Sequence, residues 1–272
     1  MILVTGAGGF VGGKIIQMRS DAIACPSLRG LDGEDIERII TSYDIDAVIH
    51  TAAISDVSAC QKDPDASYTA NVMLPVHLAN AVKDTNIKLV CFSSDQVYTG
   101  AKEVGPYTED MACPANVYAS HKLEMEQRVL DIAPVAVLLR AEWMYDYYLK
   151  KPNYFMNIIN AQSPLRFSSA GYRGLTYVKE VVDNMDGVMR LPGGVYNFGS
   201  ETTKSIYEIT REFLGVLGKD IPLEDVPAGH NLWINCAKAR QYGVDFSSVE
   251  NGLKRCAEDY QEKENGGLRI KR

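Results

Sequence analysis

Apolar residues along this chain come in short runs separated by longer amphipathic stretches. Residues 1–4 form an apolar run that predicts a strand. Residues 14–19 continue as a helix, and 21–25 form a second short strand. Over 32–43 the apolar positions Ile36, Ile39 and Ile40 take helical spacing. Residues 46–50 read as a third strand, 64–84 as one long helix, and 87–92 as a fourth strand. A helix over 114–131 and a strand over 135–139 follow. Strands alternating with helices in this way predict an α/β fold built on a doubly wound parallel sheet. Beyond Trp143 the rhythm loosens. Residues 146–152 are aromatic and basic, an excursion over the ligand. Residues 176–178 lead into a helix that reaches Arg190, and 194–198 form another strand. A helix over 205–217 follows, and two further short helices finish near Tyr260. The charged last dozen residues are expected to fray. Neither repeats nor a low-complexity linker interrupt the pattern.

The first strand runs into Thr5-Gly-Ala-Gly-Gly-Phe-Val-Gly12, and each of three glycines has a physical use. Gly6 turns the chain off the strand, Gly9 admits a pyrophosphate to the backbone, and Gly12 lets the helix pack on the sheet. The helix N-terminus then offers free N–H groups to phosphate. This strand–glycine–helix context predicts a dinucleotide site in a Rossmann-type sheet, with ligands beyond the C-terminal strand ends. Residues just after each strand are therefore the ones to watch: 6–11, 27–29, 51–53, 93–96 and 140–143. Residues 1–145 with about 171–198 are assigned to the dinucleotide-binding domain. Residues of about 146–170 with 199–272 are assigned to a small C-terminal α/β cap that binds substrate.

The second strand ends in Cys-Pro-Ser-Leu-Arg-Gly, without the acid that usually binds the ribose hydroxyls of NAD. Arg29 and Ser27, with Lys14 nearby, suit a 2′-phosphate, which favours NADP(H) over NAD(H). Three Tyr-x-x-x-Lys patterns occur. Tyr98…Lys102 spans a glycine turn and Tyr147…Lys151 abuts Pro152; only Tyr118…Lys122 lies on one face of a long helix. With Ser94 at the end of the fourth strand, it forms a candidate carbonyl-reducing set. Tyr118 protonates the substrate oxygen, Ser94 orients it, and Lys122 lowers the Tyr118 pKa and holds the nicotinamide ribose.

Composition narrows the partners. A net charge of −7 argues against nucleic acid and membrane surfaces. Apolar runs stay short of the ~18 residues of a membrane span, and no leader precedes the first strand, so a cytoplasmic protein is expected. Six scattered cysteines read as reduced thiols, and four histidines form no metal-ligand pattern, so no metal is expected.

Taken together, TGAGGFVG (5–12), IHTAA (49–53), Asn71, SSDQVY (93–98), PYTED (106–110) and NVYASHK (116–122) resemble the extended short-chain dehydrogenase/reductase family. The likeness covers nearly the whole chain and is greatest to its sugar-nucleotide reductases, the dTDP-4-dehydrorhamnose reductase branch. LLRAEWMY (138–145), NYF (153–155) and GVYNFGS (194–200) extend it. The resemblance implies Ser94, Tyr118 and Lys122 as the catalytic set. It implies Gly6, Gly9, Phe10, Val11, Ala52, Ala53, Asn71 and Ser93 around the cofactor, and Trp143, Asn153 and Phe155 facing a nucleotide-sugar substrate beside Asp95 and Gln96. Arg173 is the favoured cation for the substrate diphosphate, ahead of Lys150, Lys151, Arg166 and Lys204. A helix pair in such folds often makes a homodimer.

The chain also departs from that branch. Arg29 replaces an Asp beside the adenine, Gln96 a Tyr, and Leu175 a Pro, while Glu142 and Asp146 add acids near the site. The expected activity is reduction of a nucleotide-linked 4-keto sugar. Two alternatives stand beside it. A dehydratase or epimerase of the same fold is disfavoured because dehydration needs an Asp-Glu pair, and the amide of Asp95-Gln96 cannot shuttle a proton. A non-catalytic nucleotide-binding subunit is the other.

Overall fold

The computed structural model describes residues 1–148, 152–227 and 231–269. The chain opens with β1 (Ile2–Thr5), α1 (Phe10–Met18), β2 (Ala22–Ala24), α2 (Gly33–Thr41) and β3 (Ala47–His50). Next come α3 (Val57–Lys62), α4 (Pro64–Tyr68), a π-helical turn (Thr69–Met73), α5 (Leu74–Val82) and β4 (Lys88–Ser94). Then follow α6 (Val117–Ile132), β5 (Val137–Ala141), β6 (Trp143–Tyr145), α7 (Tyr154–Ile159), β7 (Leu165–Phe167) and β8 (Leu175–Tyr177). The remainder is α8 (Val178–Asp183), α9 (Met185–Arg190), β9 (Gly194–Phe198), α10 (Ile206–Val216), β10 (Leu223–Asp225), α11 (Ala237–Arg240) and α12 (Val249–Arg269).

Six parallel strands in the order β2-β1-β3-β4-β5-β9 make the central sheet. Helices cover both faces, so its strands are apolar on both sides. The two-residue period sorts them into separate cores. Ile2, Val4, Ile49, Val90 and Leu139 pack against Ile15, Val181 and Val188. Leu3, Val48, Leu89 and Leu138 face the other way, onto Ile36, Ile40, Leu78 and Val129. The predicted doubly wound α/β sheet is therefore the observed architecture. A third cluster outside the sheet joins Tyr145, Phe155, Leu175, Tyr177, Phe213 and Leu253. Two small parallel pairs, β6–β8 and β7–β10, border it.

Several boundaries differ from expectation. The helix expected over 64–84 is interrupted by the π turn, where the Leu74 N–H bonds the Thr69 carbonyl. Pro75 has no N–H to offer the Asn71 carbonyl, so the wider turn absorbs the missing bond. Strand β4 continues through Ser93 and Ser94, because both residues pair with β5. The last helix is neither short nor finished near Tyr260. It runs to Arg269 because Leu253, Cys256 and Ala257 repeat on one buried face and Glu and Lys are strong helix formers. Strands β6, β7 and β10 have three residues each, too few to display a period. Among the described residues, no helix is long and apolar enough to cross a membrane.

Candidate functional site

At the C-terminal edge of β1, Gly6 turns with φ +72, and the Gly9 N–H bonds the Gly6 carbonyl at 2.8 Å. A Cβ on Gly6 would lie 2.7 Å from the Ala52 nitrogen; one on Gly12 would meet the Gly6 carbonyl and, at 2.6 Å, Thr51 Oγ1. Side chains larger than hydrogen would thus push α1 off the β1 and β3 ends. At Gly8 the same Cβ meets nothing within 4 Å, so the loop crest faces open space. The first N–H groups of α1 have no helical acceptors. This cradle, with one side built tight and the other open, fits a dinucleotide pyrophosphate.

Two cavities flank the loop. One, of about 740 Å³, is lined by Gly9, Phe10, Val11, Ser93, Ser94, Asp95, Gln96, Tyr118, Lys122, Glu142, Trp143 and Asn153. The other, of about 930 Å³, is lined by Gly6, Ser27, Arg29, Ala52, Met73 and His77 among others. Ala53 borders both, so they adjoin beneath the glycine loop. Most of the expected cofactor and substrate residues thus meet along one continuous groove.

The chemistry gathers in the first cavity. Asn116 caps α6, accepting the Ala119 N–H at 2.8 Å, and places Tyr118 and Lys122 one turn apart, both buried. Tyr118 shares a side-chain hydrogen bond with Ser94; burial pushes its phenol well above the usual value, and the Asp95 carboxylate adds to the rise. Lys122, expected to lower that phenol together with an oxidised nicotinamide ring, is its neighbour one turn on. The ammonium donates to the Phe92 carbonyl at 2.8 Å and stands 5.9 Å from the Tyr118 ring centroid. Burial lowers Lys122 itself to about 8, against the upward pull of neighbouring acids, Glu126 among them. Ser94 Oγ donates to Asp95 Oδ1 at 3.2 Å and accepts the Gln96 N–H at 3.2 Å. Behind it, Ser93 Oγ donates to Glu126 at 2.5 Å, and Arg140 clamps Glu126 at 2.7 Å. Glu126 lies one turn beyond Lys122, so this buried pair ties α6 to the ends of β4 and β5.

Other expected residues serve elsewhere. Asn71 is fully buried; its amide donates to the Ile54 carbonyl at 2.9 Å and accepts the Ile54 N–H at 3.1 Å. It pins the loop after β3 and borders neither cavity. Phe155 stacks on Tyr145 inside the third cluster, because α7 turns its neighbours Tyr154 and Asn157 to the cavity instead. Arg173 does not line the cavity: it pairs with Asp95 at 2.9 Å. Lys14 lies away from the second-strand end, paired with buried Asp146 at 2.7 Å. Lys204 is engaged by Glu212 and Glu250, and Arg166 by Glu224. Lys150 and Lys151 lie outside the described residues.

Sequence reasoning did not find Tyr154, Asn157 and Phe167 on the first cavity, or Met73 and His77 on the second. Tyr154 stands within the NYF segment, between the two residues singled out there, and the other four come from segments with no motif of their own. The competing Tyr98 is sealed in the core, donating to Asn197 at 2.7 Å and accepting from Arg140 at 2.8 Å. Among the described residues, no group of three or more His, Cys, Asp or Glu is arranged to hold a metal ion.

A family model described as the RmlD substrate binding domain matches residues 1–230. The chain is similar to a probable low-salt glycan biosynthesis reductase of Haloferax volcanii, 32% identical over 160 residues that cover 52% of this chain and 53% of that protein. It is similar to a dTDP-4-dehydrorhamnose reductase of Mycobacterium tuberculosis, 34% identical over 154 residues, covering 53% of this chain and 50% of that one. The matched stretch spans about half the length of these curated relatives. The fold superposes on a crystal structure of dTDP-4-dehydrorhamnose reductase from Bacillus anthracis in complex with NADP. The TM-score is 0.82 at 20% identity, over 95% of this chain and 98% of that one.

Proposed function

Because the chain belongs to the RmlD substrate binding domain family, we propose that it is a cytoplasmic NAD(P)H-dependent reductase of a nucleotide-linked 4-keto-6-deoxy sugar. The observation that carries this reading is the meeting of Ser94, Tyr118 and Lys122 with the N-terminus of α1 on one cavity. When bound, the reduced dinucleotide would supply the hydride. Tyr118 supplies the proton: burial and Asp95 keep its phenol protonated at neutral pH, so the acid is loaded before substrate arrives. Ser94 donates to the carbonyl oxygen and turns it toward Tyr118. Lys122, anchored on the Phe92 carbonyl, holds the nicotinamide ribose, and its charge favours the phenolate left after proton transfer.

Arg29 and Ser27 on the second cavity support a preference for NADP(H), since a guanidinium recognises a 2′-phosphate with charge-assisted hydrogen bonds. Residues 1–145 with about 171–198 would form the dinucleotide-binding unit, and 146–170 with 199–272 the cap. Leu175 and Tyr177 carry the first unit into the cap's apolar cluster. Gln96 on the cavity wall speaks against dehydration, which needs an acid there.

The test titrates the protein with NADPH and NADH by fluorescence, then adds dTDP-4-keto-6-deoxy sugar and follows loss of reduced-ring absorbance. Tyr118→Phe is expected to lower kcat by about 10²–10⁴-fold and leave NADPH affinity intact. Equal turnover by Tyr118→Phe would exclude the assigned acid. Binding without turnover by the native chain would favour the non-catalytic subunit.

A further inference from the structure

The Arg173 guanidinium carbon sits over the Trp143 ring, 3.7 Å from its centroid, while its Nη2 donates to Asp95 Oδ2 at 2.9 Å. These contacts join two walls of the cavity. Asp95 follows β4 and takes the Ser94 hydroxyl on its other oxygen. Trp143, in β6, lines the cavity and is 49% exposed. The arginine is held from behind: Arg173 bridges Leu232, the Tyr172 N–H bonds Asn231 Oδ1 at 2.8 Å, and Tyr172 stacks on Trp233. Only a planar guanidinium can stack on an indole and donate in its own plane together; an ammonium keeps the charge and loses the stack.

We propose that Arg173 is a positioning residue for the reaction: it sets the Ser94–Tyr118 pair through Asp95 and the substrate platform through Trp143. This rests on the reductase reading above. The Ser94 proton has two neighbouring acceptors, Asp95 and the Tyr118 oxygen. By drawing on Asp95 Oδ2, Arg173 weakens the hold of that carboxylate on Ser94 and offsets its field at Tyr118. The charged and titratable groups here come from several elements. Tyr118 faces Asp95 after β4, Cys60 of α3 and Lys122 of its own helix. Asp95 in turn meets Arg173 and the field of buried Glu142 after β5.

The experiment compares Arg173→Met, Arg173→Lys, Asp95→Asn and the double variant Arg173→Met/Asp95→Asn. It measures kcat and KM for reduction, and the acidic limb of the pH profile for alcohol oxidation, where the Tyr118 phenolate is the base. Arg173→Met takes the guanidinium charge away from Asp95. It is expected to lower kcat about tenfold and move the limb up by about one pH unit. Asp95→Asn moves the limb down. The double variant returns the limb to the native position while KM stays raised, because Trp143 still lacks its backing. Arg173→Lys keeps the native limb and raises KM. The proposal is overturned if Arg173→Met keeps native kcat, KM and limb. It is equally overturned if the double variant recovers nothing while melting earlier, the mark of a purely structural arginine. An absence of turnover in the native chain would remove the reductase reading, and this proposal with it; native turnover with unaffected variants removes the proposal alone.

Discussion

Replacing Lys122 by Met is expected to remove one contribution to stability that rises with pH. Lys122 is 2% exposed and burial lowers its pKa from 10.5 to about 8. Between those values the unfolded chain binds the proton and the folded chain does not, so stability rises with pH through that window. Integrated from pH 7 to 9.5, Lys122 contributes about 2 kcal/mol to the native protein. The buried tyrosines, raised in the fold, oppose this gain as the pH nears 10, but they do so alike in the native protein and the variant, so the comparison cancels them. Lys122→Met removes the penalty together with the hydrogen bond to the Phe92 carbonyl. Its stability relative to the native protein should therefore fall by about 2 kcal/mol from pH 7 to 9.5, whatever the constant offset. Urea unfolding followed by circular dichroism at pH 7, 8, 9 and 9.5 reads this difference directly. Parallel curves for the two proteins would refute the reasoning, because they would mean that Lys122 titrates alike folded and unfolded. Activity should be lost in the same variant, as expected where a group is retained for chemistry at the expense of stability.

Gly12→Ala places a methyl against the Gly6 carbonyl and Thr51 Oγ1, and should cost about 1–3 kcal/mol and weaken NADPH binding; urea midpoints and cofactor titration measure both. Arg29→Ala should weaken NADPH about tenfold, the worth of one charged hydrogen bond, and leave NADH unchanged in the same titration. Arg140→Met strands the Glu126 carboxylate in the core. It should destabilise by about 3–5 kcal/mol, and Glu126→Leu added to it should recover much of the loss in thermal melts.

What the chain determines by itself is local. The apolar run before Gly6, the three-residue glycine spacing and the position of Tyr118 one turn before Lys122 are short-range features. Each has a single physical reading within ten residues, so the doubly wound sheet and the gathering of its loops follow from them. Pairings across the chain are another matter. Arg173 and Asp95 are 78 residues apart, and no pattern distinguishes an arginine bound to a carboxylate from one waiting for a diphosphate. Lys14 stands beside the glycine motif in the sequence, so a place near the cofactor phosphates is its local reading. The turn of α1 instead sends it to buried Asp146. Asn71 and Phe155 stand in segments that match the family, but burial, a tertiary property, removes both from the groove. The raised phenol of Tyr118 has the same origin, since a pKa depends on the solvent that neighbouring elements exclude. Local rules thus specify which residues are candidates. Only the packing of distant elements decides which charges find each other, which side chains keep water, and which reach the cleft.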